Sequence, residues 1–69
     1  MKKQTITAMR KWLHDLDRAI INRQKGVILQ LLDENQLNVS FKWDAPGLPE
    51  DLIADYELFT DRANNIVYV

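Results

Sequence analysis

The stretch Val39-Ser40-Phe41-Lys42-Trp43-Asp44, with Ala45-Pro46-Gly47 behind it, decides how this chain is read. Val39, Phe41 and Trp43 alternate with Ser40, Lys42 and Asp44. A period of two in β-branched and aromatic residues predicts a half-buried strand. Ala45-Pro46-Gly47 then supplies a turn, because proline fixes φ at the second position and glycine is free to take a positive φ at the third.

Working back from the strand, Val27-Ile28-Leu29-Gln30-Leu31-Leu32 is too apolar to face water. It predicts a short helix over about residues 27–36, with a buried strand as the competing reading. Gly26 fits the left-handed residue that ends a preceding helix. That first helix runs from about Thr5 to Arg23. Ile6, Met9, Trp12, Leu13, Leu16, Ala19 and Ile20 recur at the spacing of one amphipathic stripe, and Thr5 or Thr7 could cap its start. Its opposite side aligns Lys11, Arg18 and Lys25, flanked by Arg10 and His14.

Working forward, Pro49 suits the first position of a third helix, and Glu50 and Asp51 suit its positive end. Leu52, Ile53, Tyr56, Phe59 and Ala63 share one face through about Arg62. Asn64-Asn65 breaks the pattern, and Ile66-Val67-Tyr68-Val69 reads as a terminal strand. The expected fold is therefore α+β in the order α-α-β-α-β, a helical hairpin plus a β-α-β segment, and mostly helical if the terminal strand does not form. The expected core is Met9, Leu13, Leu16, Ile20, Ile28, Leu31, Leu32, Val39, Phe41, Leu52, Ile53, Tyr56, Phe59 and Val67.

A chain of 69 residues reads as one small domain, residues 1–69, and chains of this size are marginally stable. The usual reinforcements are disulfides, a metal or association. Cysteine is absent and His14 is the single histidine, so no metal site and no cofactor are expected; self-association, docking on a larger partner and unaided packing remain, and a homodimer is expected from the small core and the open edge of the Ile66–Val69 strand. No run approaches the ~18 apolar residues that span a bilayer, and Met1-Lys2-Lys3-Gln4 is not followed by the apolar core of a signal peptide. The expected location is cytoplasmic, with no membrane partner.

Charge is lopsided beneath a net −1. Residues 1–25 carry seven bases (Lys2, Lys3, Arg10, Lys11, Arg18, Arg23, Lys25) and two acids, a balance of +5. Residues 26–69 carry two bases and eight acids, a balance of −6. Catalysis finds no support. His14 sits among bases with no nucleophile at a recognisable spacing, and two glycines in all make no phosphate loop.

Binding does find support, in two forms. On the third helix Asp51 and Asp55 are four apart, as are Glu57 and Asp61, so like charges stack where alternating signs would stabilise. Leu58 falls among them, an apolar residue ringed by charge as in a small hot spot. Glu50, Asp51, Asp55, Glu57, Leu58 and Asp61 are thus the candidate protein-binding residues, and the expected function is a non-enzymatic regulator, inhibitor or adaptor that docks on a basic surface of a larger protein. The alternative is a nucleic-acid-binding regulator using Arg10, Lys11, Arg18 and Lys25 against phosphates. The slightly negative total charge and the lack of a recognisable DNA-binding module argue against specific nucleic-acid binding.

Overall fold

The computed structural model describes the backbone of residues 3–66 and the side chains of residues 5–66. Helix α1 spans Lys3–Ile21, α2 spans Lys25–Asp33, a π-helical segment continues it over Glu34–Val39, and α3 spans Glu50–Asn65. No strand occurs among the described residues, which overturns the expected α+β order. The α2 pair with α1 and the α3 pair with α1 are the main helix contacts, so α1 is the central element.

The first turn differs from the sequence reading in an instructive way. Arg23, not Gly26, takes the left-handed conformation, at φ 50°. Its N–H bonds the carbonyl of Ile20 at 3.1 Å, and the Gln24 N–H bonds that of Ala19 at 3.0 Å. This pair of bonds is a Schellman closure, which satisfies the last carbonyls of α1 and reverses the chain. Gly26 is the second residue of α2 instead. Thr5 and Thr7 lie inside α1, which begins at Lys3, so neither is its N-cap.

The stretch 39–49 is the main correction. Ser40 is left-handed at φ 41°, and Gly47 at φ 88°. Between them Ala45 N–H closes a turn on the Lys42 carbonyl at 3.0 Å. A backbone that turns at Ser40, Trp43-Asp44 and Pro46-Gly47 cannot run as a strand. The physical reason is burial without pairing. Phe41 reaches Trp12 of α1, and Trp43 reaches both Trp12 and Tyr56 of α3, so their alternation is satisfied by a folded loop and needs no sheet partner. Val39, placed on the same face by the strand reading, is exposed. Of the other expected strand only Ile66 is described, an extended residue capping α3; residues 67–69 lie outside the described residues, and so does Val67 as a core residue.

One apolar cluster holds the chain together. Met9, Trp12, Leu13, Leu16 and Ala19 of α1, Ile28 and Leu31 of α2, Trp43 and Leu48 of the loop, and Leu52 and Ala63 of α3 are buried. Ile20, Leu32, Phe41, Ile53, Tyr56 and Phe59 pack against it half-buried. The hub is aromatic. Trp43 stacks on Tyr56 with centroids 4.0 Å apart and planes 8° apart. Trp12 meets Phe41, Trp43 and Tyr56 at 6.2, 5.7 and 6.1 Å. Both indole N–H groups find acceptors, as buried tryptophans require. Trp12 Nε1 donates to the Leu31 carbonyl at 2.7 Å, and Trp43 Nε1 donates to Asn35 Oδ1 at 3.1 Å. Leu31 lies three residues before the π segment. A side chain that claims a helix carbonyl is a recognised cause of a broken i→i−4 ladder, and the wider winding follows at Glu34.

Candidate functional site

Helix α3 sorts its residues by side. Leu52, Tyr56, Phe59 and Ala63 recur at spacings of four, three and four and form its inner face. Asp51 and Asp55 fall on the flank beside α1. Glu50, Glu57, Leu58 and Asp61 fall on the outer face, opposite the inner one by helical spacing. All six candidate protein-binding residues are exposed, but they make two groups, not one row.

Of the flank pair, Asp51 is engaged within the molecule. Arg10 Nη1 of α1 meets Asp51 Oδ2 at 3.3 Å. Side-chain exposures of 50% and 68% make this a solvated pair, worth about 0–1 kcal/mol. Asp55 borders an open groove together with Arg10, Leu13, His14, Asp17, Leu52 and Phe59. His14 is exposed there, and no set of three or more potential ligands among the described residues could hold a metal ion.

The outer group has no cation within pairing distance among the described residues. Asp61 accepts from Asn65 Nδ2 at its carboxylate, 3.1 Å, and at its carbonyl, 2.8 Å. Leu58 is 43% exposed, with Asp55 and Asp61 three residues to either side. Helix i±3 neighbours share a surface, so this leucine is bracketed by carboxylates.

The basic residues are not gathered as the sequence suggests. Arg10, Lys11 and Arg18 are exposed on α1. Arg10 is committed to Asp51. Lys25 lies beyond the Schellman turn as the first residue of α2, so the line Lys11-Arg18-Lys25 does not run along one helix.

A further surface was only partly legible in the sequence. Besides Leu58, the exposed large apolar residues among those described are Ile21 at the end of α1, Val27 and Leu29 on α2, and Leu37 and Val39 on the π segment. Ile21 and Leu58 stand out in the sequence as apolar residues off their stripes. Leu29 and Leu37 do not, although a clue exists. Five apolar residues within Val27–Leu32 exceed what one face of a short helix can bury, so some of them must point outward.

No described helix is long and apolar enough to cross a membrane. Comparison with protein-family models, curated proteins and solved structures finds no match to this chain.

Proposed function

We propose that this protein is a non-enzymatic interaction module, a small regulator, inhibitor or adaptor, that docks on a basic surface of a larger protein through the outer face of α3. The observation that carries the reading is Leu58, exposed between Asp55 and Asp61, with Glu50 and Glu57 on the same side of the helix. Stacked like charges destabilise a helix by a few tenths of a kcal/mol per pair. An encounter with a cationic partner turns that cost into steering, and the leucine provides the desolvated centre. The proposal includes a cytoplasmic location and no catalytic role. Nucleic acid is the lesser alternative, since Arg10 is tied to Asp51 and Lys25 stands on another helix.

The test is capture from nuclease-treated cell extract at low and high salt, with wild type, Asp55→Lys/Glu57→Lys and Leu58→Ala run side by side. A protein held by wild type, released by salt and lost with both variants supports the reading. Rim charges act mainly on association rate and a central apolar residue on dissociation, so the charge variant slows binding and Leu58→Ala shortens the lifetime of the complex. Retention by both variants, or recovery only with intact nucleic acid, overturns it.

A further inference from the structure

We propose that the pocket where α1 and α3 end side by side is an anion site, in which Arg23 and Arg62 hold a carboxylate whose aliphatic body lies against Ile20 and Ile66. This site is distinct from the outer face of α3 and does not rest on the docking assigned to that face.

The two helices run parallel. Arg10 of α1 meets Asp51 in the first turn of α3. Ile20, near the end of α1, lines a pocket of about 580 Å³ with Arg62, Asn65 and Ile66 at the end of α3. Arg23 completes the lining from the Schellman turn. No carboxylate borders this pocket among the described residues. Asp61, the acid next to Arg62 in sequence, accepts from the Asn65 amide instead. The N–H groups of Asn65 are thus already used, and the arginines are the donors left to a ligand. Both arginines are exposed, and neither side chain has an ion pair or hydrogen bond among the described residues. A guanidinium presents its N–H groups as a planar fork that can grip two oxygens of one anion.

A purely structural role competes with this reading. Parallel helices bring two negative dipole ends to one place, and a cation there is stabilising. Arg62, in the last turn of α3, is explained by that alone. Arg23 is not. It occupies the left-handed position of the turn at φ 50°, where glycine is the ordinary residue. The strain of a residue with a side chain in that well is larger than what one exposed cation gains from a helix end. An arginine therefore stands where glycine is the more stable choice, and its side chain lines the same pocket as Arg62.

The class of anion follows from the walls. Ile20 and Ile66 are half-buried and set apolar surface beside the two cations. Such surface gains by covering a hydrocarbon body and gives nothing to an ion hydrated on every side, such as inorganic phosphate. A carboxylate on an aliphatic chain satisfies both halves of the pocket. Small aliphatic acids present that group, and so does the free C-terminus of a peptide ending in an aliphatic residue.

The test is titration of isotope-labelled protein with hexanoate, acetate, inorganic phosphate, N-acetyl-leucyl-leucine and the C-terminal amide of that dipeptide. Arginine Nε–H and isoleucine methyl signals are followed by NMR. Hexanoate and the free-acid dipeptide shift the signals of Arg23, Arg62, Ile20 and Ile66 together, and bind more tightly than acetate, phosphate or the amide. A dipeptide that binds more tightly than hexanoate supports the site with a peptide C-terminus as its ligand, and the reverse order supports it with a small acid. Arg62→Gln weakens binding by about tenfold or more, the loss expected for one hydrogen bond to a charged group. Arg23→Gly weakens it similarly while raising the urea midpoint, a combination that a merely structural arginine does not give. Absence of shifts at these four residues to high millimolar ligand overturns the proposal. So does phosphate binding as tightly as hexanoate, which reduces the pocket to an unselective cationic patch, or binding unchanged in both arginine variants.

Discussion

Truncating Trp43 is the sharpest probe of this fold. Its side chain is 8% exposed, stacked on Tyr56 at 4.0 Å, set edge-on to Phe41 at 5.5 Å, and tied to Asn35 by a 3.1 Å hydrogen bond. Tryptophan-to-alanine changes in cores cost about 3–5 kcal/mol. Total stability at about 0.05–0.15 kcal/mol per residue is roughly 3.5–10 kcal/mol for a chain this long. Trp43→Ala therefore removes from about a third to all of that stability. Trp43→Phe is the more quantitative variant. It keeps a ring in the stack but loses the N–H···Oδ1 bond and part of the contact area, at about 1–2 kcal/mol. A change of 1 kcal/mol moves Tm by about 4–8 °C in a domain of this size, so its Tm falls by about 5–15 °C. Val39→Ala is the control. An exposed side chain costs less than about 0.5 kcal/mol, whereas a strand with Val39, Phe41 and Trp43 on one face makes Val39 and Trp43 comparably expensive. Urea unfolding followed by circular dichroism measures all three. Equal losses for Val39→Ala and Trp43→Phe, or a Trp43→Ala protein less than about 1 kcal/mol destabilised, refute the docked loop.

Three further outcomes follow from the backbone and the surface. Arg23→Gly relieves a left-handed residue in the Schellman turn and should stabilise by about 0.5–1 kcal/mol after the entropy cost of glycine, read as a rise in the urea midpoint at unchanged slope; a fall shows that the arginine side chain makes up for its strain. Gly26→Ala sits in the first turn of α2 with open space around the new Cβ, and should add about 0.4–1 kcal/mol, read as a rise in the urea midpoint. A double-mutant cycle on Arg10 and Asp51 should give a coupling of less than about 1 kcal/mol that fades in 1 M salt; a larger, salt-resistant value means the pair is a fixed clasp between α1 and α3.

The helices were legible because long periodic segments carry their own evidence. The stripe from Met9 to Ile20 and the inner face of α3 bury as their spacing demands, and Pro46-Gly47 turns where proline and glycine make turning easy. What misled was the residue pair Phe41 and Trp43. Alternation states only that every second side chain is buried, and two tight turns can achieve this as well as a pleated strand can. The partner that settles the matter lies in tertiary space: Trp12 and Tyr56 offer flat apolar faces, and nothing local records that they stand opposite residues 41 and 43. Trp12 itself was visible on the α1 stripe but was not among the expected core residues, although it is the ring that joins α1, the loop and α3. The same limit applies to the surfaces. The acids of α3 are evident in the sequence, yet which of them meets Arg10, Asp51 alone, depends on where α1 lies. The exposure of Leu29 and Leu37 depends on how little of α2 one central helix can cover. A short apolar helix packed on a single neighbour buries one side and leaves the other in water.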